Sequence, residues 1–364
     1  MNDRNYSVVH WGTGNTGRHV LRMLLGHPRR TLVGLGVSSP AKEGRDAGEL
    51  CGLPPAGVRA SRDLDALLAL KPDCLTYMGT EYGRPEGAVI DDLCRILERG
   101  VNVVSTAMPA LIYPASISRD AADRLDAAGR RGGASVFTTG IEPGYLGDAL
   151  PLTLTSLCER VDRVIVQQKV NNATYDEPTG LAHYGYGKAP ERDAADYRPG
   201  SMTYIWRGVV HMFAAGMGLA LDEVRELRET ATVPRDIQVG RTTIPAGTVS
   251  GIRFRIQGIV GAEPIIEIDR QDVLAADVGL HWPQPFPGRE RTRHCRIVIE
   301  GMPRIEADVD MHASDSDPTL SGVIATAARA VNAIPWVHAA APGLVTNLDL
   351  PGITGAGVLR PGRG

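Results

Sequence analysis

The chain has 364 residues, of which 43% are hydrophobic and 22% charged, and its formal net charge at pH 7 is -3. This composition predicts a globular protein long enough for two domains and excludes a largely disordered chain. The small net charge excludes a bulk basic field for nucleic acid or an anionic membrane. Because no apolar leader and no stretch of about 20 apolar residues stands out, we expect a cytoplasmic protein without a membrane anchor.

The cysteines and histidines argue against several chemistries. Five cysteines are scattered without a C-x-x-C pair, which predicts reduced thiols rather than a disulfide framework. The histidines show no H-E-x-x-H or similar spacing, so we expect no metal site. A Gly-x-Ser-x-Gly elbow is also missing, and nothing favours a covalent hydrolase.

Residues 6–17 run from a short apolar strand into the pattern Gly-x-Gly-x-x-Gly, and a helical stripe follows at 18–27. In a dinucleotide site, Gly12 permits the tight turn, Gly14 lets the backbone approach a pyrophosphate, and Gly17 allows close packing of helix and strand. The alternative is a glycine-rich turn packed for its own sake. The strand-turn-helix context favours a dinucleotide site. Its predicted contacts are Gly12, Thr13, Gly14, Asn15, Thr16 and Gly17.

The first 150 residues alternate strand and helix patterns, which predicts a doubly wound parallel sheet, the Rossmann architecture. The carboxyl ends of such strands meet at one crevice, where ligands bind. The predicted strands after the first are 31–37, 74–79, 101–105 and 134–138, and the predicted helices are 63–70, 88–99 and 116–130, the last with a serine cap.

The end of the second strand indicates which dinucleotide is bound. NAD sites commonly carry Asp or Glu there, but this chain has Ser38 and Ser39, followed by Lys42 and Arg45. Hydroxyl and cationic groups suit a 2'-phosphate, which a carboxylate would repel. We therefore expect NADP(H) to be preferred and NAD(H) to remain possible. The alternative is that both cations are solvated loop charges.

Residues near the ends of the later strands are further candidates for the ligand-binding crevice. Gly79, Thr106 and Pro143 are predicted cofactor contacts because each lies at or beyond the carboxyl end of a predicted strand. Glu142 also follows the last strand, before a helix expected from Leu146, which puts its carboxylate at the nicotinamide end as a proton donor or acceptor. The alternative is a loop glutamate that caps the helix.

Beyond about residue 161 the pattern becomes rich in longer strands. Strands at 249–260 and 264–275, and at 295–300 and 304–311, are separated by short turns and predict antiparallel hairpins. We expect an α+β substrate-binding and dimerisation domain over 151–316. A C-terminal helix of about 317–345, with an alanine-rich apolar part from 320 to 333, is predicted to pack back on the first domain.

The polar segment 171–199 is too long for a simple connection and is a candidate lid or binding loop. Tyr175 is the preferred proton donor, while Asn171 and Asn172 offer amides that orient a substrate. His183 is a further catalytic candidate. Its alternative is a packed histidine, because it stands between Ala182 and Tyr184.

Nearly the whole chain resembles the dihydrodipicolinate reductase-like superfamily, in particular its branch of 2,4-diaminopentanoate dehydrogenases and native amine dehydrogenases. The resemblance implies a nicotinamide-dependent oxidoreductase, a homodimer, and hydride transfer to or from a C=O or C=N carbon. The motifs that carry the resemblance are residues 12–17, 38–42, 44–48, 102–106, 140–144, 330–335 and 342–346.

Two departures from the family pattern bear on the substrate. Residues 176–180 echo the Asp-x-Pro-Ser-Gly-Thr motif of the reductases, but the paired histidines and lysine before it are missing, which argues against dihydrodipicolinate. The similar amine dehydrogenases carry a catalytic glutamate after the strand that ends at Ser105, where this chain has Thr-Ala-Met-Pro-Ala. We expect reduction or oxidation of a small or medium ketone, imine or amine, with Glu142 as the substitute carboxylate. The alternative is an NADP(H)-binding sensor that has lost the chemistry.

Overall fold

The structure is a computed structural model that describes residues 4–190, 201–284 and 293–359. The strands in chain order are β1 (Tyr6–Trp11), β2 (Arg30–Gly36), β3 (Ala60–Ser61), β4 (Cys74–Tyr77), β5 (Asn102–Ser105), β6 (Ser135–Thr138), β7 (Arg160–Asn171), β8 (Glu223–Thr232), β9 (Ile237–Val239), β10 (Thr242–Ile244), β11 (Val249–Val260), β12 (Glu263–Val273), β13 (Arg293–Met302), β14 (Ile305–Asp310) and β15 (Gly343–Val345). The helices are α1 (Asn15–Gly26), α2 (Ala47–Leu50), α3 (Leu64–Leu68), α4 (Ala88–Glu98), α5 (Arg119–Gly132), α6 (Ala149–Thr155), α7 (Pro178–Tyr184), α8 (Ser201–Gly216) and α9 (Leu320–Ala339).

The chain divides into two compact units. The first comprises residues up to Gly144 together with those from Val323 onward, and the second comprises Tyr145–Gly322. The first unit contains a parallel sheet in the order β15-β6-β5-β4-β1-β2-β3. The order reverses between β1 and β4, the position at which doubly wound sheets bind their ligands. The predicted Rossmann architecture is confirmed.

The two faces of this sheet bury separate cores. Val8 packs with α1 and α9 on one face, whereas its neighbour Val9 packs with α3, α4 and α5 on the other. Successive strand residues point to opposite faces, so a continuous apolar strand is what a sheet covered on both sides requires. The helices therefore hold the carboxyl edge of β1 rigidly from both sides.

Several element ends differ from the predictions, because capping groups decide them. Ser118 Oγ accepts from the Ala121 amide at 3.2 Å and starts α5, three residues later than predicted. Asp148 caps α6, which begins after the expected start at Leu146. The C-terminal helix continues through Pro335 to Ala339, since the fully buried Ile334 and Val337 extend its apolar face. Residues 343–345 are not helical but form β15 beside β6.

The second unit has a mixed sheet in the order β14-β13-β7-β12-β11-β8. β7 and β12 are parallel and the other neighbours antiparallel, as expected for a mostly antiparallel sheet. Both predicted hairpins are present as β11 with β12 and β13 with β14. α8 packs on one face, where the Trp206 and Phe254 rings lie 5.8 Å apart.

Among the described residues, α9 is the one helix long and apolar enough to cross a membrane by length and composition. Its Ala327, Ala330 and Val331 side chains are fully buried in the core of the first unit. Core packing therefore accounts for its apolar sequence.

Candidate active site

The three glycines of the turn after β1 are required for different reasons. Gly12 has a φ of +102°, and a Cβ there would lie 2.6 Å from the Met78 carbonyl oxygen. A Cβ on Gly17 would lie 2.0 Å from the Gly12 carbonyl oxygen, so only glycine lets α1 approach the turn. Gly14 is different, because no heavy atom of the described residues lies within 4 Å of its Cβ position. Packing among these residues does not require glycine at position 14, whereas the close approach of a pyrophosphate would require it.

The first turn of α1 suits an anion. No side chain caps it at Gly14, and it contains no acidic residue. The backbone N–H groups of such a turn and the helix dipole both favour a phosphate. Asn15 and Thr16, two of the predicted contacts, lie in this turn. These residues fit the dinucleotide that the glycine pattern predicts.

His10 lies in β1, just before the glycine-rich turn, and packs against it. The imidazole is fully buried, and its Nδ1 lies 2.8 Å from Thr76 Oγ1. Burial lowers the pKa of His10 to about 4, although hydrogen bonding to the turn opposes that shift. The ring is therefore neutral at pH 7 and acts as packing rather than as a phosphate ligand.

Lys42 is anchored to the glycine-rich turn. Its Nζ donates to the Thr13 carbonyl oxygen at 3.1 Å and to Thr13 Oγ1 at 3.0 Å. Burial lowers the pKa of the Lys42 ammonium, and the charge of Arg45 acts in the same direction. Lys42 is thus not a solvated loop charge, while Ser38 and Arg45 are exposed.

Asp46 orders the segment that carries these groups. Its carboxylate accepts from the amides of Gly48, Ala56 and Gly57 at 2.7 to 2.8 Å. These bonds lower the pKa of Asp46. Within the motif at 44–48, Asp46 therefore has a structural role. It holds the loop that carries Arg45.

The remaining predicted cofactor contacts lie at the same carboxyl edge. Gly79 follows β4, and its amide nitrogen lies 3.3 Å from the Cβ position of Gly12. The Thr106 amide donates to the Tyr77 carbonyl oxygen at 3.2 Å, which holds the start of the loop after β5. Pro143 lies in the loop after β6, where the Asn347 amide donates to the Gly144 carbonyl oxygen at 3.3 Å.

Two carboxylates lie in the loops that follow the strands on either side of β5. Glu142 follows β6 and Glu81 follows β4, and each has its Oε1 atom buried. In the loop after β5, Ala107 is buried and Met108 packs on an apolar core, and residues 106–112 include no Asp or Glu. Glu81 is not among the residues predicted from the sequence, although its place shortly after a central strand was an available signal.

In the second unit, the predicted asparagines have local partners. Asn171 Oδ1 accepts from the Ala173 amide at 3.0 Å, which is a turn contact. Asn172 Nδ2 donates to Asp272 Oδ1 at 3.2 Å and so ties the segment after β7 to β12. Both amides therefore shape the loop that leads to Tyr175.

The surroundings of Tyr175 favour the protonated form of its hydroxyl. Burial raises the pKa of its hydroxyl, and the nearby Glu177 adds to the rise while Arg293 opposes it. The hydroxyl therefore keeps its proton at neutral pH. Thr174 Oγ1, beside it in the chain, lies 2.9 Å from Thr319 Oγ1, which ties this loop to the start of α9.

The other polar residues of the segment have structural contacts. Asp176 accepts from Arg241 Nε at 3.0 Å, and Glu177 caps α7 through the Gly180 amide. His183 is exposed on α7 with its ring against Tyr184. The candidate lid is thus partly helical, and residues 191–199 of it lie outside the described residues.

Sequence analysis also missed a buried polar cluster on the α8 face of the second sheet. Arg270 donates to both carboxylate oxygens of Asp272 at 2.8 Å and to Gln168 Oε1 at 2.9 Å. Its guanidinium lies 5.2 Å from the Trp206 ring centroid. Because Asp272 also accepts a hydrogen bond from Asn172, the cluster positions the start of the segment 172–177, which carries Tyr175.

Comparison with known proteins shows which family the chain belongs to. Residues 145–357, more than half of the chain, match the family of the 2,4-diaminopentanoate dehydrogenase C-terminal domain. An amine dehydrogenase of Streptomyces virginiae is 35% identical over 350 residues, which cover 95% of this chain and 96% of that protein. The chain belongs to this dehydrogenase family.

Two further relatives extend the comparison. The 2,4-diaminopentanoate dehydrogenase of Acetoanaerobium sticklandii is 27% identical over 72% of this chain and 69% of its own. The solved structure of an amine dehydrogenase from Mycobacterium smegmatis shares the fold, with a TM-score of 0.77, 24% identity, and 97% and 98% of the two chains covered. The family member described here is an NAD(P)-dependent oxidoreductase, which favours the enzyme over the sensor alternative.

Proposed function

We propose that this enzyme prefers NADP(H) over NAD(H) and interconverts a small or medium amine and water with the corresponding ketone and ammonia, through the imine. The observation that carries the cofactor preference is the anchoring of Lys42 on Thr13 beside the exposed Ser38. No carboxylate stands at Ser38 or Ser39 to repel a 2'-phosphate. Lys42 and Arg45 supply the neutralising charge.

The chain's own residues have distinct tasks in this proposal. The first turn of α1 binds the pyrophosphate, and Lys42 with Arg45 binds the 2'-phosphate. The bound dinucleotide supplies or accepts the hydride at its nicotinamide C4. Tyr175 donates a proton to the reacting oxygen or nitrogen, and Asn172 positions the loop that carries it. Orientation of the two reactants contributes much of the acceleration.

The amine side of the proposal rests on the two carboxylates that follow β4 and β6. An ammonium or protonated imine is stabilised by a nearby, partly desolvated carboxylate. Glu142, after β6, is our first candidate, and Glu81, after β4, is the alternative. The names of the relatives, amine dehydrogenase and diaminopentanoate dehydrogenase, support the same substrate class.

The deciding experiment follows NADPH oxidation with a panel of ketones and aldehydes, with and without ammonia. Consumption that requires both ketone and ammonia supports the proposal. Consumption with the carbonyl alone replaces it with a ketone reductase, and binding of NADPH without any turnover contradicts it.

The two carboxylates are tested by a matched pair of variants, Glu142→Gln and Glu81→Gln. We expect Glu142→Gln to lower kcat/KM for the ammonia-dependent reaction by about 100-fold or more, the range of a lost acid or base group. Glu81→Gln then serves as the control for loss of a nearby charge. The reverse pattern transfers the role to Glu81, and unchanged rates in both variants reject a carboxylate role.

We also propose the domain roles and the assembly. Residues 1–150 bind the dinucleotide, residues 151–316 bind the substrate and form a homodimer, and the segment 317–345 packs on the dinucleotide domain. Five cysteines without a disulfide among the described residues support a reducing, cytoplasmic location. Sedimentation velocity tests the dimer, and a single monomeric species at micromolar concentration argues against it.

A further inference from the structure

A cavity of about 220 Å³ lies in the first unit at the amino ends of β1 and β2. Its walls include Tyr6 and Arg30 from these strands and Asn332, Trp336 and Ala339 from α9. The glycine-rich turn follows the opposite end of β1, six residues or roughly 17 Å away along the strand. The cavity is therefore separate from the dinucleotide site.

Arg30 brings a buried positive charge to this cavity. The residue is 6% exposed, and its Nη1 donates to the Arg29 carbonyl oxygen at 2.7 Å. Its guanidinium lies 5.0 Å from the Tyr6 ring centroid. Within residues 4–190, 201–284 and 293–359, no carboxylate pairs with Arg30, and its buried Nε has no hydrogen-bond partner.

The surroundings of Arg30 disfavour its charged form. Burial lowers the pKa of Arg30, and the neighbouring charge of Arg29 acts in the same direction. A guanidinium nevertheless stays protonated in proteins, so it cannot escape burial by losing a proton. A buried charge without a counter-charge or full hydrogen bonding is costly. An anion in the cavity removes this cost.

The other walls define what kind of anion fits. Asn332 Oδ1 is buried without a hydrogen-bond partner in the described chain, and rotation of the amide presents Nδ2 as a donor instead. Trp336, Pro335 and Ala339 supply an apolar surface beside these polar groups. The volume is below the 300 to 1,000 Å³ or so of pockets for drug-sized ligands. A small ligand with one anionic end and one apolar end matches both parts.

We propose that this cavity binds a small organic carboxylate. Its carboxylate accepts hydrogen bonds from Arg30 Nε and the Asn332 amide, and its apolar body packs on Trp336 and Ala339. Such a ligand links the start of β1 and β2 to α9, and so stabilises the first unit away from the dinucleotide.

Isothermal titration calorimetry tests the proposal on the enzyme saturated with its dinucleotide, with sodium benzoate as the probe. Benzyl alcohol is the neutral analogue, and sodium chloride keeps the ionic strength constant. We expect benzoate to bind in the millimolar range or tighter and benzyl alcohol to bind at least about tenfold more weakly, since charged hydrogen bonds carry the recognition.

Two variants locate the binding. Arg30→Met removes the charge and keeps an apolar side chain of similar length, and Ala339→Phe fills the apolar part. Each should weaken benzoate binding about tenfold or more while the KM of the dinucleotide stays unchanged. Thermal unfolding of Arg30→Met without ligand checks folding, and replacing an unpaired buried charge should not lower its Tm.

Three results would overturn the proposal. The first is the absence of any heat of benzoate binding to the wild type. The second is an affinity of the wild type for benzyl alcohol that equals its affinity for benzoate. The third is a benzoate affinity in both variants that equals that of the wild type. Competition by inorganic phosphate at lower concentration than benzoate would replace the carboxylate with a phosphate ligand and so reject the proposed class.

Discussion

Lys42 reaches back across the end of β2 and donates two hydrogen bonds to Thr13, one to its carbonyl oxygen and one to Oγ1. The contact joins two segments that lie 29 residues apart in the chain. It brings a cation to the turn that we propose as the phosphate site. In that proposal, Lys42 supports the turn and also binds the 2'-phosphate, whereas Arg45 contacts the 2'-phosphate only.

This difference predicts distinct cofactor effects. Arg45→Ala should raise the KM for NADPH about tenfold and leave the KM for NADH nearly unchanged, because only NADPH carries the 2'-phosphate. Lys42→Met should raise both values, because the Thr13 contact is lost as well. Initial rates with each dinucleotide give the four values. Arg119→Ala, at an exposed α5 position, is the charge control, and equal effects of Arg45→Ala on both cofactors would reject the role of Arg45.

The glycines predict opposite outcomes for two similar changes. Gly14→Ala should cost less than about 1 kcal/mol of stability, since its Cβ meets no atom, but should strongly weaken dinucleotide binding. Gly17→Ala should cost about 3 kcal/mol because its Cβ meets backbone at 2.0 Å. Urea unfolding and dinucleotide titration separate the two effects. Tight dinucleotide binding by Gly14→Ala would contradict the proposed approach of the pyrophosphate to Gly14.

His10 predicts loss of stability in mild acid. The unfolded histidine binds a proton near its ordinary pKa of 6.5, whereas the folded one resists until about pH 4. The unfolded state therefore holds more protons between these values, and stability falls as pH drops from 6.5 toward 4, by up to about 3 kcal/mol. When urea unfolding is measured from pH 7 to pH 5, the slope of the free energy of unfolding against pH should be smaller for His10→Asn than for the wild type. His312→Asn, at an exposed site, should keep the wild-type slope.

Tyr175 predicts a kinetic effect with little structural cost. Tyr175→Phe should lower kcat/KM about 100-fold if the hydroxyl donates the proton. Because the pKa of this hydroxyl is raised, the wild-type activity should show no loss from its ionisation below pH 10. A pH profile of kcat/KM for both proteins measures this. Tyr204→Phe is the matched control, and wild-type rates in Tyr175→Phe would assign the proton donor elsewhere.

Elements with local signals were predictable. The apolar β1, the glycine spacing after it, and the helical stripe of α1 are neighbours in the chain, so their structure follows from short-range sterics and periodicity. The hairpins of β11 with β12 and β13 with β14 have similarly short turns. Helix ends were harder, because Ser118 and Asp148 cap them through side-chain bonds that a periodic pattern does not reveal.

The sequence by itself determined the Rossmann and mostly antiparallel architecture, the dinucleotide turn and the enzyme class. Only the tertiary structure decided that Lys42 is held by Thr13, that Glu81 and Glu142 follow the two strands beside β5, and that Arg30 is buried with no carboxylate paired to it among the described residues. These relationships join residues from separate elements whose proximity follows from the strand order. The physical reason is that charge pairing and desolvation depend on distance in space, while a single sequence records only distance along the chain.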